Sequence, residues 1–355
     1  MRNWVIIAVA MLAGGCAVSE VPGEMRMAHV SSATTVQARG ETVPVGTANA
    51  DAADDPAIWR NRSDPSASLV LGTDKQAGIY VYGLNGKVRD FVNAGRVNNI
   101  DLRDDVIFAD GRGILAVASD RNDLMHAKLA LFRLDPDTAK LTALGTVDAG
   151  NGEAYGVCLG RSAGRVSAFS VLKDGTINQV ALDLSGVTTK GQIVRSMKLG
   201  TQSEGCAVDD RTGLLYVTEE DVGLWRFDAA ADGSKIPFKI AGADGRNIVA
   251  DAEGVALIPE GARGGYVVLS SQGDNAYVLY TLADNSYVGR FRISAGAVGG
   301  TEETDGIDFS LGDFGPNFPG GLLVAQDGYN PQGAQNFKLV AWQDIATALN
   351  LPKGE

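Results

Sequence analysis

One short frame recurs six times along the chain, and no other feature limits its possible folds as tightly. A polar residue, usually followed by glycine, opens a short apolar run. It appears as Asp55-Pro56-Ala57-Ile58-Trp59, Asn98-Asn99-Ile100-Asp101-Leu102 and Tyr155-Gly156-Val157-Cys158-Leu159. It returns as Glu204-Gly205-Cys206-Ala207-Val208, Glu253-Gly254-Val255-Ala256-Leu257 and Asp305-Gly306-Ile307-Asp308-Phe309. The opening positions are 55, 98, 155, 204, 253 and 305, and one further unit's length follows the last. A fixed period of this size marks a repeat architecture.

Within each unit, β-type runs alternate with turns rich in Gly, Asp and Asn. The fourth is clearest, with predicted strands over 205–208, 214–218, 224–227 and 236–240. The fifth repeats the scheme over 266–270, 276–282 and 287–293, and 342–349 is the best helix candidate. Six four-stranded antiparallel units predict an all-β chain, a six-bladed β-propeller around a central channel. An open solenoid is the alternative, but ring closure removes the exposed strand edges. The 45 glycines suit tight turns packed around an axis. The length alone suggests two domains; the repeat makes 41–355 one.

The first residues read as an address. Met1-Arg2-Asn3, an apolar run over 4–13 and Gly14-Gly15 before Cys16 describe an export signal over 1–16, too short to span a bilayer. Cys16 stands where a bacterial lipoprotein box carries its lipidated cysteine, although Ala13 replaces the usual leucine. A lipid anchor there would be the chain's one link to a membrane. Residues 17–40 read as a tether. Cys158 and Cys206 share one place in consecutive units; a disulfide and two buried thiols are equally compatible with that.

Charge narrows the chemistry. The formal net charge of −12 argues against a nucleic-acid partner. His29 lies in the tail and only His126 remains for the body, which leaves little material for a histidine-rich zinc site or Ser-His-Asp catalysis. If the frame opens each innermost strand, its first residue shares one mouth with the turn between strands two and three. Units one to three then supply Lys75, Arg121, Lys173 and the Tyr155 hydroxyl, and units four to six Glu204, Glu220, Asp251, Glu253, Asp305 and Asp327. Singly, each is an ordinary turn residue or surface charge. Jointly, the carboxylates suit a hard cation such as Ca²⁺. The bases opposite suit phosphate, with water as nucleophile.

The motifs resemble those of β-propeller phytases. Asp51-Ala52-Ala53-Asp54-Asp55-Pro56-Ala57-Ile58-Trp59 is similar to that family's opening signature. Asn98-Asn99-Ile100-Asp101, Glu153-Ala154-Tyr155-Gly156 and Gln202-Ser203-Glu204-Gly205 follow in family order. So do Asp251-Ala252-Glu253-Gly254, Thr304-Asp305-Gly306-Ile307-Asp308, Val324-Ala325-Gln326-Asp327-Gly328 and Gln335-Asn336-Phe337-Lys338. The resemblance implies a calcium-dependent phosphomonoesterase of 3-phytase type acting on phytate, myo-inositol hexakisphosphate, and a monomer is expected. It implies structural calcium at Asp55, the Pro56 and Ile100 carbonyls and Asn336. Catalytic calcium would fall to Glu41, Asp51, Asn98, Asn99, Glu204, Glu220, Asp251, Glu253 and Asp305. Lys75, Arg121, Tyr155, Lys173 and Arg246 would contact phosphate, and Glu204, Glu253 and Asp305 would surround the attacking water. Gln76 and Asp174 depart from the family's usual lysine and glutamate. A lactonase-like calcium propeller and a non-catalytic ligand-binding propeller are the rival readings.

Overall fold

Strands form where the repeat predicts them because β-branched and aromatic runs are cut by turn residues at regular intervals. The computed structural model describes residues 29–48, 51–162, 164–329 and 333–352; the expected export signal and Cys16 lie outside them. Blade one comprises Ala53–Trp59, Leu69–Asp74, Gly78–Gly83 and Val88–Asn93. Blade two comprises Val97–Phe108, Gly111–Asp120, His126–Asp135 and Lys140–Asn151, and blade three Ala154–Ser162, Arg165–Leu172, Thr176–Asp183 and Lys190–Lys198. Blade four runs through Ser203–Asp209, Leu214–Glu219, Gly223–Asp228 and Phe238–Gly242. Its outer strand begins two residues later than predicted, just after Pro237, which has no N–H to give the ladder. Blade five is Ala252–Glu260, Gly264–Ser271, Ala276–Thr281 and Tyr287–Ser294, and blade six begins Ile307–Leu311, Gly321–Asp327 and Asn336–Ala341. A short helix, Trp342–Ala348, follows.

The first strand of each blade touches the first strand of the next, and that of blade six touches blade one. The sheets are thus six sides of a closed ring. Apolar layers fill the joints: Leu71 and Val81 of blade one pack with Ala116 and Phe132 of blade two. Phe169 and Val171 of blade three pack in the same way with Leu215 and Val217 of blade four. Cys158 and Cys206 form a disulfide between the inner strands of blades three and four.

The N-terminal segment corrects the expected tether boundary. Thr34–Gln37 adds a fifth strand to blade five, parallel to Tyr287–Ser294, and buries Val36 against Phe291 and Ile293. Gly40–Glu41 then pairs antiparallel with Asn336–Ala341 as the fourth strand of blade six. The sequence before residue 41 carries too short an apolar pattern to reveal these strands, which exist only because two blade edges lie open beside it. Among the described residues no helix is long and apolar enough to cross a membrane.

Candidate active site

The mouth is built by a repeated backbone device. Five inner strands carry a β-bulge near their start: between Ala53 and Pro56, Val97 and Ile100, Ala154 and Gly156, Ser203 and Cys206, and Ala252 and Val255. A bulge leaves ladder positions unpaired and re-aims a side chain. The residue after the first paired position is Asp54, Asn98, Tyr155, Glu204 or Glu253, and Asp305 holds the matching place before Ile307. Blade one is thereby shifted by one residue from the sequence frame: Asp54, rather than Asp55, occupies the mouth position. Next comes a glycine in four blades, because neighbouring backbones nearly touch there. Gly254 N donates to the Asp305 carbonyl at 2.8 Å, and a Cβ on Gly254 would lie 2.5 Å from that oxygen.

A second ring comes from the turns after strand two. Lys75, Arg121, Lys173, Glu220 and Gln272 each donate a backbone N–H to the carbonyl two residues before their own blade's mouth residue. This sets Lys75, Arg121, Lys173, Glu220 and Gln272 at one end of the channel. The adjacent Glu219 faces elsewhere, accepting from Thr201 and the Trp225 indole.

Glu204, Glu220 and Glu253 are buried, with carboxylate oxygens within 4.8 Å of one another. Asn98 Nδ2 donates to Glu204 Oε1 at 2.7 Å, and the Asn99 amide, with its nitrogen facing Glu204, donates to the same oxygen at 2.9 Å. Glu220 Oε1, Glu253 Oε2 and both Asp54 carboxylate oxygens are buried without a hydrogen-bond partner. The Lys75 ammonium lies 3.0 Å from Asp54 Oδ1 as an ion-pair contact. Burial, then the nearby Asp54 and Asp305 charges, hold the Glu204 carboxyl well above its ordinary range. Burial, then Glu204 and Asp305, do the same to Glu253. Burial raises Glu220 and Asp251 as well. Asp305 is held at about 7, chiefly by burial, with Lys75 opposing and Asp54 adding. Crowded carboxylates retain protons in this way when no cation neutralises them.

The bases divide differently from the expected half-ring. Arg121 and Lys173 flank the Tyr155 ring, at 5.5 Å and 5.2 Å from its centroid. Arg121 also donates to Asn98 Oδ1 and to Glu153. Burial first, then Glu204, push the Tyr155 hydroxyl up, so it remains a neutral donor. Lys75 instead reaches Asp305 at 2.8 Å, Asp51 at 2.9 Å and Asp54 at 3.0 Å. Ring closure is the reason, since blade one adjoins blade six and Lys75 sits on the acidic side of that seam. Gln272 Nε2 donates to Asp305 Oδ1 at 2.7 Å, and Gln326 Oε1 accepts from Asp305 N at 2.9 Å. Asp54, Glu153 and Gln326 are mouth residues that stand in the quoted motifs without a role there, and Gln272 lies in the turn between the predicted strands 266–270 and 276–282. For Asp54 the bulge register is the signal that finds it.

Three expected ligands fall elsewhere. Asp55, Pro56 and Ile100 do meet, lining an axial cavity of about 170 Å³, where Asp55 Oδ2 accepts from Ile100 N at 3.0 Å. Asn336 is absent from that lining. It sits with Glu41, Asp327 and Lys338 where the N-terminal strand joins blade six. Glu41 and Asp327 therefore leave the mouth cluster, because the register sets Glu41 opposite Lys338 and Asp327 opposite Asn336. Arg246 lies on the loop before blade five, where its carbonyl accepts from Ser31 N and its charge acts on Tyr287 of that blade's outer strand. Asp174 turns to Lys198 at 2.7 Å.

A closed six-bladed propeller with a buried oxygen-only cluster beside two phosphate-compatible bases defines the class: an all-β scaffold whose chemistry sits at one mouth. The family model described as Phytase matches residues 4–353, and the chain belongs to this family of phosphoric monoester hydrolases. A 3-phytase of Bacillus subtilis (strain 168) is 36% identical over 328 residues, covering 88% of this chain and 85% of the relative. Among solved structures, a chain of the mitotic checkpoint complex aligns with a TM-score of 0.46 at 13% identity, over 97% of this chain and 87% of its own. At that distance neither activity nor partner carries over.

Proposed function

We propose that this phytase is calcium-dependent and removes phosphate from myo-inositol hexakisphosphate by direct attack of water. The observation that carries this reading is the buried Glu204, Glu220 and Glu253 cluster, with orphaned oxygens at Glu220, Glu253 and neighbouring Asp54. An all-oxygen donor set without thiolate or imidazole fits a hard divalent cation. Glu204, Glu220, Glu253, Asp54 and Asp305 would hold it, with Asp51 and Asp251 at the rim. Bound calcium would supply charge that neutralises carboxylates and substrate phosphate together and makes water a better nucleophile.

The chain's own groups do the rest. Arg121 and Lys173 hold phosphate oxygens, and Tyr155 donates its hydroxyl hydrogen between them. Asn98 and Asn99 orient Glu204, while Gln272 and Gln326 fix Asp305. As the water oxygen bonds to phosphorus, the phosphorus–oxygen bond to inositol breaks. The water's proton passes to Glu204 or Glu253, ionised once the site is filled, and the departing inositol oxygen takes a proton from solvent. Neither a phosphoenzyme nor a histidine is therefore required. Export is part of the proposal: a disulfide joining blades three and four suits an oxidising compartment.

Glu204→Gln and Lys75→Ala test the assignment. Each is expected to lower phosphate release by about 10²-fold or more, the scale of lost transition-state electrostatics. Far-UV circular dichroism in calcium should be unchanged. A fully active Lys75→Ala protein removes that lysine from the catalytic site.

A further inference from the structure

Among the described residues Lys338 is the one buried lysine, with its side chain 2% exposed. Its ammonium lies 2.6 Å from Glu41 Oε2, 2.8 Å from Asn336 Oδ1 and 3.1 Å from Asp327 Oδ2. The Glu41 and Asn336 contacts are hydrogen bonds and the Asp327 contact is an ion pair, so three oxygens converge on one ammonium. The sheet register creates the socket. Asn336 and Lys338 alternate onto one face of the third strand of blade six, Glu41 pairs with Lys338 from the N-terminal strand, and Asp327 pairs with Asn336 from the second strand. Asn336 Nδ2 also donates to the Thr42 carbonyl at 3.1 Å, so the socket grips both sides of the joint.

Two carboxylates and one amide carbonyl converging on one point form the donor set of a hard cation. A divalent ion and a buried ammonium do not share that point. The resemblance assigned Glu41 and Asn336 to calcium, and the residues present do not fit it.

We infer that the Lys338 ammonium is the resident cation of the joint that closes the propeller ring, so that this joint holds without calcium while the mouth requires it. Calcium sensitivity and ring closure are then separate properties of the chain. The mouth's need for calcium rests on the proposed function, whereas the joint's independence of it does not, so a failure at residues 40–42 and a failure at residues 202–206 are distinguishable.

Hydrogen exchange on the wild-type protein, in calcium and in chelator, tests it directly. Peptides covering residues 40–42 and 336–341 should exchange alike in both buffers, while those covering 202–206 and 251–255 should exchange at least several-fold faster in chelator. Equal loss of protection at residues 40–42 on chelation would overturn the inference. Lys338→Ser supplies the second arm, because it removes the ammonium and leaves the three oxygens. Protection of 40–42 should fall in chelator and return on adding calcium, with one more calcium ion bound per chain than in wild type by mass spectrometry of the metal content. A variant that calcium neither restores nor binds would show an ordinary ion pair rather than a cation's place. If the variant does not fold, the wild-type comparison still decides.

Discussion

Without calcium, the mouth should make this protein less stable as pH rises toward neutrality. Burial, opposed by Lys75 and reinforced by Asp54, holds Asp305 at about 7, above its ordinary 3.8. The folded chain therefore binds this proton more tightly than the unfolded chain does. The group's stabilising contribution is complete below 3.8 and is lost as pH rises through 7. Between pH 5 and pH 7 the slope eases from about 1.4 kcal/mol per unit as the group half-titrates, so that loss is roughly 2 kcal/mol from Asp305 alone. Glu204 and Glu253, raised by the same burial, act with the same sign. Asp308 is also held at about 7, but it lines the axial cavity, so its share persists when the mouth is filled. Carboxylates held low, such as Asp209, have largely finished titrating below this window. Calcium favours the ionised forms and should flatten the mouth's share of the slope. Urea unfolding midpoints at pH 5 and pH 7, in chelator and in calcium, measure both slopes. A chelated protein that gains stability over this interval, or an identical fall in calcium, would refute the reasoning.

Other outcomes follow from single features. The disulfide closes a loop of 48 residues between blades three and four, so Cys158→Ser with Cys206→Ser should cost roughly 4 kcal/mol, read from urea midpoints. A cost near zero would mean that the apolar joint suffices. Gly306→Ala would place a Cβ 2.2 Å from Asp55 Oδ1, and it should lower both the melting temperature and activity; a neutral result would show that the blade six to blade one seam relaxes freely. Glu153→Gln should raise KM more than it lowers kcat, because it frees Arg121 while leaving the reacting carboxylates in place.

The blades were legible because each repeats its own strands and turns locally. What ring closure alone creates was not. Lys75 reads as a member of a basic half-ring until blade six comes round beside it with Asp305. Glu41 and Asn336 read as calcium ligands until the N-terminal strand docks and sets Lys338 between them. Asp54 was hidden differently: two consecutive aspartates offer two phases for the frame, and only the bulge register chooses between them. Position by position, the acids of blades four and five were found because Glu204-Gly205 and Glu253-Gly254 keep a glycine where neighbouring backbones nearly touch.

The most direct test is release of inorganic phosphate from myo-inositol hexakisphosphate by the purified chain, in matched calcium-replete and chelated buffers. The account predicts steady release in calcium, loss of that release in chelator and recovery when calcium is returned. No release in calcium from folded protein, or equal release in both buffers, would contradict it.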